Sequence, residues 1–488
     1  MNIVIVAGGL NTRFEEYSIF PKLLLPYKNN DSVLIHNLKI FEKEKNFDKV
    51  YVLIRSDYYR MVLSYITVNG LNIRLISVGK PSSNYDSIMN ALHILPKENL
   101  LFIWSDLVFT ERPKMKKQKG IVVFTDDSVH YRFYAKGNEI RKTTRIGNVP
   151  GIYYVENSED LLGGIRNSGF DLTQHLSGRN IKVKKLKCKI FEFIDKDTYI
   201  DFLNKEKEEK IVPRRFNDIE IKCGKFIKTQ KDTSSKLLLD EVNWYKMCNQ
   251  AYHPKLLECS SHRYVTEYLK GYETLHKLAT STGKENTKRL VDLALKDLKS
   301  LHKDKKSFPK YQIESDLETE FFYKVLNRVY DVSGMLINYD EHKLNIILKK
   351  ALDYIEKNVD NENYSFIHGD PNGSNVMINP DDLDIKFVDP RGYFGETKLY
   401  GIPEYDFAKL NYFLYGYDDF NISNNYLYSK SGYDKPKVLY KHKELDTKLY
   451  RIMVGIIYIA LTSYISNNIF KVNIAYEHGL EILKGELE

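Results

Sequence analysis

Two stretches of this sequence combine acids, amides, cations and glycines at spacings that could handle phosphate. In HGDPNGSN, His368 to Asn375, Asp370 stands five residues before Asn375, and a further aspartate, Asp389, follows in IKFVDPRG. Phosphoryl transfer from ATP needs a group that accepts or orients the proton of the attacking hydroxyl, together with ligands for Mg2+ on the phosphates. Asp370 suits the first task. Asn375 and Asp389 suit the second, because Mg2+ prefers hard oxygen ligands and keeps several waters. An isolated His-Gly-Asp is an ordinary polar turn more often than a site. Here an asparagine, an intervening strand and a second aspartate supply the context that such a motif requires.

The second stretch is VAGGLNTRF, directly after the apolar NIVIVA. Gly8 and Gly9 let backbone amides approach a phosphate closely. Asn11 and Thr12 add hydrogen-bonding groups, Arg13 a cation, and Lys22 in FPKLLLP a second cation. A phosphate that attacks a triphosphate is repelled by it, so such a site needs concentrated positive charge and a metal. Arg13 and Lys22 are the catalytic candidates, and a carboxylate for the metal would complete the minimum set. A dinucleotide-binding reading would require GxGxxG and an acid closing the second strand, and neither is present.

The elements that must position these residues fall into two patterns. Over the first 200 or so residues, NIVIVAG, KVYVLI, IRLISV, LLFIW and GIVVF alternate with helical stretches such as VLIHNLKIFEKEK and YDSIMNALHIL. That alternation predicts parallel strands with crossover helices, an α/β fold. The charged FLNKEKEEKIVPRRF interrupts it, and the boundary is placed there, giving domains 1–210 and 211–488. Beyond it, IEIKCGKFIKT reads as a small strand pair, LLLDEVNWYKMC as a helix and RYVTEYL as a strand. Long helices follow to residue 360, and FIHGD, NVMIN and IKFVD are short strands around the opening motif. Two separate cores would let fragments 1–210 and 211–488 fold alone.

At 488 residues the chain exceeds one ordinary core. A net charge of +8 is small beside 73 basic and 65 acidic residues. It fits anionic small molecules without calling for nucleic acid. Cys188, Cys223, Cys248 and Cys259 lack metal-ligand spacing and form no disulfide framework, which fits a reducing cytoplasm. The N-terminus has no basic leader. The apolar MVGIIYIALTSYI reads as a buried helix too short to span a bilayer.

Residues 217–488 resemble the aminoglycoside phosphotransferase and choline kinase families, which share a protein-kinase-like α+β fold. The resemblance implies that Lys228 in KFIK holds ATP phosphates with Glu241 as its helix partner, and that Glu267 and Leu269 in YVTEYLKG lie beside adenine. His302 in LKSLH and Asp406 in EYDFAKL match structural signatures of the group. No glycine-rich loop is apparent before Lys228. DPRG is an unusual continuation after the metal aspartate, and its Arg391 would pair with a neighbouring acid or touch an anionic substrate.

Residues 1–210 resemble nucleotidyltransferases that make sugar nucleotides and CDP-alcohols, although Asn11 stands where those enzymes carry a glycine. The resemblance implies that Asp106 in WSDLVF is a metal-binding aspartate and that the second metal acid lies in IFEFIDKDTY, at Glu192 with Asp195 as its rival. SSNYDSIMNAL, with Asn84 and Ser87 as nucleotide-binding candidates, is closer to phosphocholine cytidylyltransferases than to sugar-1-phosphate enzymes. Together the resemblances imply a bifunctional, cytoplasmic, Mg2+-dependent enzyme. It would phosphorylate a small alcohol (choline- or ethanolamine-like, a polyol or a sugar) with ATP. It would then transfer a nucleotidyl group, CMP from CTP, to the phosphomonoester for surface-polysaccharide synthesis. The alternative is a nucleotide-binding regulatory or scaffold domain fused to one active kinase. Aminoglycoside phosphorylation would suit the second half but leave the first unexplained.

Overall fold

The structure, a computed structural model, describes residues 1–9, 11–43, 46–126, 131–136, 139–162, 171–177, 179, 181–193, 195–205, 217–231, 237–360 and 362–488. The boundary expected at 210 lies outside them.

The first half runs β1 (Asn2–Ala7), α1 (Val33–Phe41), β2 (Val50–Ile54), α2 (Ser56–Val68), β3 (Ile73–Ser77), α3 (Asn84–Ala91) and β4 (Glu98–Trp104). It continues through β5 (Leu107–Phe109), β6 (Ile121–Thr125), the hairpin β7 (Tyr131–Lys136) and β8 (Glu139–Gly147), β9 (Ile152–Asn157), α4 (Leu172–Leu176), β10 (Ile181–Lys185), β11 (Ile190–Glu192) and α5 (Lys196–Lys205). Seven strands form one sheet in the order β10-β6-β9-β4-β1-β2-β3. Ile3 to Ala7 are all buried, as expected of a central strand covered on both faces. β1 pairs in parallel with β2 (Ile3 opposite Val50) and with β4 (Ile3 opposite Leu101).

The sheet departs from the all-parallel expectation at one strand, because β9 runs antiparallel between β4 and β6. Between β6 and β9 the chain forms the β7–β8 hairpin rather than a crossover helix, so β9 enters from the opposite end. Outside this sheet, β5 and β11 form a short antiparallel pair with Leu107 opposite Glu192.

The second half opens with β12 (Asn217–Lys222), β13 (Lys225–Gln230), α6 (Leu237–Met247), β14 (Leu256–Cys259) and β15 (Arg263–Glu267). Its four strands pair antiparallel in the order β12-β13-β15-β14. Next come β16 (Glu273–Thr274), α7 (Leu275–Ser281), α8 (Lys284–Leu301), β17 (Lys305–Ser307), α9 (Lys310–Glu318), α10 (Lys324–Val332) and α11 (Glu341–Asn358). The last part is β18 (Asn363–Phe366), β19 (Val376–Ile378), β20 (Ile385–Phe387), β21 (Tyr400–Gly401), α12 (Pro403–Leu414), α13 (Tyr417–Ile422), β22 (Tyr428–Ser429), β23 (Gly432–Tyr433), α14 (Lys448–Leu461) and α15 (Ile469–Leu487). A two-residue turn, Cys223–Gly224 with both φ positive, joins β12 to β13. That is the hairpin geometry glycine favours.

The apolar stretch around α14 is longer than the sequence reading had it. Lys448–Ile465 is apolar enough over 18 residues to meet the composition of a membrane span, but 61% of it is buried within the protein. α14 crosses α15 closely at Gly455 and Gly479, where a Cβ on Gly479 would lie 2.6 Å from the Gly455 carbonyl oxygen.

The same crossing buries His478 against the Tyr458 ring at 4.8 Å, with no hydrogen-bond partner on either ring nitrogen. Burial lowers its pKa from 6.5 to about 4. Between those values the unfolded chain binds a proton that the folded chain refuses, so stability falls as pH drops from 6.5 to 4. The full span corresponds to about 3 kcal/mol. Urea midpoints compared at about pH 7 and pH 4.5 are expected to fall less in His478→Phe than in the parent chain, and equal falls would contradict the assignment.

The halves share part of their core, while a second apolar cluster, with Val4, Tyr51, Phe102 and Tyr153, belongs to the first half alone. One continuous apolar cluster contains Phe14, Tyr17 and Phe20 of the first half together with Tyr428, Phe470 and Leu483 of the second.

Candidate active sites

β1 has neighbours on both sides in the sheet: the chain runs outward from β1 to β2 and β3, then crosses back to β4 on the other side of β1. Such a reversal of strand order opens a crevice at the carboxyl ends of the strands. Here a cleft of ≈ 480 Å³ lies at that point, lined among others by Gly8, Gly9, Asn11, Thr12, Lys22, Asn84, Asp106 and Glu192. Asn11 adopts the left-handed conformation, φ 59°, and its side-chain amide donates to the Phe20 carbonyl at 2.8 Å. Asparagine tolerates that conformation better than most residues, so it can take the turn without glycine. The backbone of Arg13 lies in the turn Thr12–Phe14; its side chain is outside what the structure describes.

Lys22 reaches across the cleft. Its Nζ donates to Asp106 Oδ2 at 3.2 Å and to the Phe193 carbonyl at 2.8 Å. The other carboxylate oxygen of Asp106, Oδ1, is buried without a hydrogen-bond partner. The β5–β11 pair brings Glu192 beside it: Glu192 faces Leu107, and Phe193 N donates to the Asp106 carbonyl at 3.0 Å. The rival Asp195 is occupied elsewhere. Its carboxylate accepts from Thr198 N at 3.0 Å and Thr198 Oγ1 at 2.9 Å, capping α5, and these hydrogen bonds hold its pKa below the ordinary value. The structure thus places Glu192, not Asp195, with Asp106.

Asn84 and Ser87 sit on α3 in different settings. The Asn84 amide donates to Asp171 Oδ2 at 2.7 Å, and its Oδ1 accepts from Leu172 N at 3.0 Å, tying α3 to α4 at the rim. Ser87 is fully buried, donates to the Ser83 carbonyl and packs behind Gly8. A Cβ added at Gly8 would fall 1.9 Å from Ser87 Oγ. Gly8→Ala is therefore expected to push the glycine loop away from α3 and weaken triphosphate binding by roughly tenfold or more. Gly8→Ala with Ser87→Gly should recover much of that loss in a calorimetric titration with CTP. Equal loss in both variants would mean that the contact does not set the loop.

In the second half, α6 presents Glu241 to Lys228 of β13. Lys228 Nζ donates to the two Glu241 oxygens at 2.9 and 2.7 Å and also pairs with Asp389. The three charges sum to one negative. Burial pushes the Glu241 carboxyl up to about 7 despite Lys228, with repulsion from Asp389 adding to it. Burial opposes the Lys228 charge, but Asp389 and Glu241 outweigh it and raise its pKa. Asp389 has a positive φ of 56°, a strained backbone for a non-glycine residue. Glu267 ends β15, where its carboxylate accepts from Lys255 N at 2.8 Å, and half-buried Leu269 lies just beyond, between the sheet and β16.

α12 organises the loop at His368. Asp406, fully buried, accepts from His368 N at 2.8 Å, from Gly369 N at 2.7 Å, and pairs with His302 Nε2 at 2.9 Å. One helical turn later, Lys409 pairs with Asp370 Oδ1 at 3.0 Å. The Asn375 amide donates to the Asp370 carbonyl at 2.9 Å. Sequence reading missed Lys409, though its spacing of three from Asp406 in a helical stretch puts both on one face. Arg391 takes the structural role: its NH2 donates to both Glu320 oxygens at 2.6 Å. Burial would raise the Glu320 carboxyl, but Arg391 and Lys324 outweigh it and hold it well below the carboxylate range.

Both sites suit Mg2+. The first offers a buried carboxylate oxygen without a partner, on Asp106 beside Glu192; the second carries surplus negative charge at Asp389, with Asn375 on the same loop system. Among the described residues no group of three or more His, Cys, Asp or Glu side chains could hold a metal. A pair of protein oxygens with waters and phosphates is the usual coordination of this ion.

No family model and no curated protein matches the chain. Solved structures match its N-terminal part. The inositol-1-phosphate CTP transferase from T. maritima is 12% identical, covering 42% of this chain and 95% of its own, with a TM-score of 0.35. The CTP:phosphocholine cytidylyltransferase from Streptococcus pneumoniae is 13% identical, covering 42% and 97%, with a TM-score of 0.35. A putative glucose-1-phosphate thymidylyltransferase from Bacillus anthracis is 15% identical, covering 43% and 97%, with a TM-score of 0.33.

Proposed function

We propose that the chain carries two active sites that act in sequence on one small molecule. In the second half, the hydroxyl oxygen of a small alcohol attacks the γ-phosphorus of ATP, its proton passes to Asp370, and ADP leaves. Lys228 holds the α- and β-phosphates. In the first half, an oxygen of the resulting phosphomonoester attacks the α-phosphorus of a nucleoside triphosphate, CTP in this reading, and pyrophosphate leaves. Lys22 and Arg13 offset the charge that develops where two anions meet. Mg2+, held by Asp106 with Glu192 and by Asp389 with Asn375, would supply further charge neutralisation on the phosphates. The alcohol is choline- or ethanolamine-like, a polyol or a sugar, and the activated product would serve surface-polysaccharide synthesis.

The observation that carries this reading is the grouping of Lys22, Asp106 and Glu192 in the switch-point cleft. The second half adds Lys228, Glu241 and Asp389 on one side and Asp370, Lys409 and Asn375 on the other. The test is product analysis by mass spectrometry after incubation with ATP, each of CTP, UTP, GTP and dTTP, and a panel of alcohols. A phosphomonoester made from ATP and a CDP-linked product are expected. A clear preference for UTP or dTTP would overturn the cytidylyl assignment, and no product with any triphosphate would leave the first half a binding module.

A further inference from the structure

The loop that carries Lys22 is not held by its own half alone. From Gly8 to Tyr27 the described chain forms short 3-10 turns and isolated bridges, and two of its aromatic residues, Tyr17 and Phe20, meet rings of the other half. Phe20 is fully buried, with its ring 4.9 Å from Phe470 of α15 and 5.6 Å from Tyr428 of β22. Tyr17 meets Phe470 at 6.2 Å. Ser18 bridges Tyr428 in parallel fashion, and Ile19 N donates to the Tyr428 carbonyl at 3.3 Å. The Phe20 carbonyl, fixed in this way, accepts the amide of Asn11, and Pro21 and Lys22 follow directly. Deeper along the seam, Asn424 donates to the Tyr27 carbonyl at 2.8 Å, and Tyr65 donates to the Asn467 carbonyl at 2.6 Å.

We propose that β22 and α15 of the second half position the first site: through Tyr428 and Phe470 they fix the turn between Asn11 and Lys22, so that Lys22 faces Asp106. The inference rests on reading the first cleft as the triphosphate site. Phe470 is a positioning residue, since it touches neither reactant. A shift of about 1 Å in a catalytic cation is enough to cost on the order of a hundredfold in rate.

The experiment uses the full chain with Phe470→Ala and Phe470→Leu. In Phe470→Ala, kcat for pyrophosphate release from CTP with supplied phosphocholine should fall on the order of a hundredfold. KM for CTP should hold within about twofold, as expected when only a transition-state interaction is lost. ATP-dependent phosphorylation should be unchanged, and Phe470→Leu, which restores most of the apolar volume, should recover most of the loss.

Hydrogen exchange read by mass spectrometry gives an arm independent of activity. Amides of residues 14–22 should lose protection in Phe470→Ala while those of β1 and β4 keep theirs. If the parent chain releases no pyrophosphate with any triphosphate, the functional reading fails while the exchange result still decides the positioning role. If Phe470→Ala loses both activities through misfolding, the milder Phe20→Leu and Phe470→Leu replace it. Their effects on nucleotidyl transfer should then be non-additive, as for residues in contact. Unchanged exchange in residues 14–22, or additive effects in that pair, would overturn the proposal.

Discussion

Asp370→Ala is expected to lower ATP-dependent phosphorylation of the alcohol by about 10²–10⁴-fold, the range for losing a positioned general base. Pyrophosphate release from CTP and a supplied phosphomonoester should be retained. Its carboxylate is held on one oxygen by Lys409, and its backbone carbonyl accepts the Asn375 amide, so the residue is fixed before any substrate arrives. Alanine also strands Lys409, which has only 14% of its side chain exposed, and an unpaired buried charge costs roughly 3–5 kcal/mol. Asp370→Asn therefore belongs beside it, because the amide keeps a hydrogen-bond acceptor for Lys409 yet cannot take the proton. Phosphoryl transfer by the asparagine variant at the parental rate would remove Asp370 from the proposed role. Loss in both variants with a retained thermal transition would support it.

Lys22→Ala is the second large expectation. The lysine spans the cleft from the glycine loop to Asp106 and the Phe193 carbonyl. Its removal should cost on the order of a hundredfold in nucleotidyl transfer, because two anions must meet there without it. Phosphorylation in the other half should continue, so with ATP and CTP both present the phosphomonoester should accumulate. Mixing Lys22→Ala with Asp370→Asn protein should restore the CDP-linked product through a diffusing intermediate, each full-length chain supplying the site the other lacks. If neither variant accumulates or consumes a phosphomonoester, the two-step scheme is wrong.

Local pattern carried much of this arrangement. The strands NIVIVA, VYVLI, IRLIS and LLFIW are short apolar runs bounded by polar loops, and all of them appear in the central sheet. The loop from His368 to Asn375, with Asp389 after the next strands, was legible because its chemistry lies within about 20 residues. The pairing of Lys228 with Glu241 was implied by the resemblance of residues 217–488 rather than by local pattern. What escaped depends on pairing across long separations. Glu192 was favoured over Asp195 through the resemblance alone; its place beside Asp106 depends on the register of β5 with β11, some 80 residues away in the chain, which no local pattern encodes. The antiparallel β9 was hidden for the same reason. The shared core was hidden because buried aromatics look alike whichever half covers them: Phe20 and Phe470 give no sign in sequence that they meet.

That last contact bears on how the protein comes off the ribosome. Phe470 is made 450 residues after Phe20, so the glycine-loop region must wait for that length of chain. At about 5–20 residues per second, that delay is roughly 20–90 s. During that interval the strands of the first sheet can pair, yet Tyr17 and Phe20 lack the second-half rings that cover them. A nascent chain halted before α15 would thus present an aromatic patch to chaperones and proteases that the finished protein conceals.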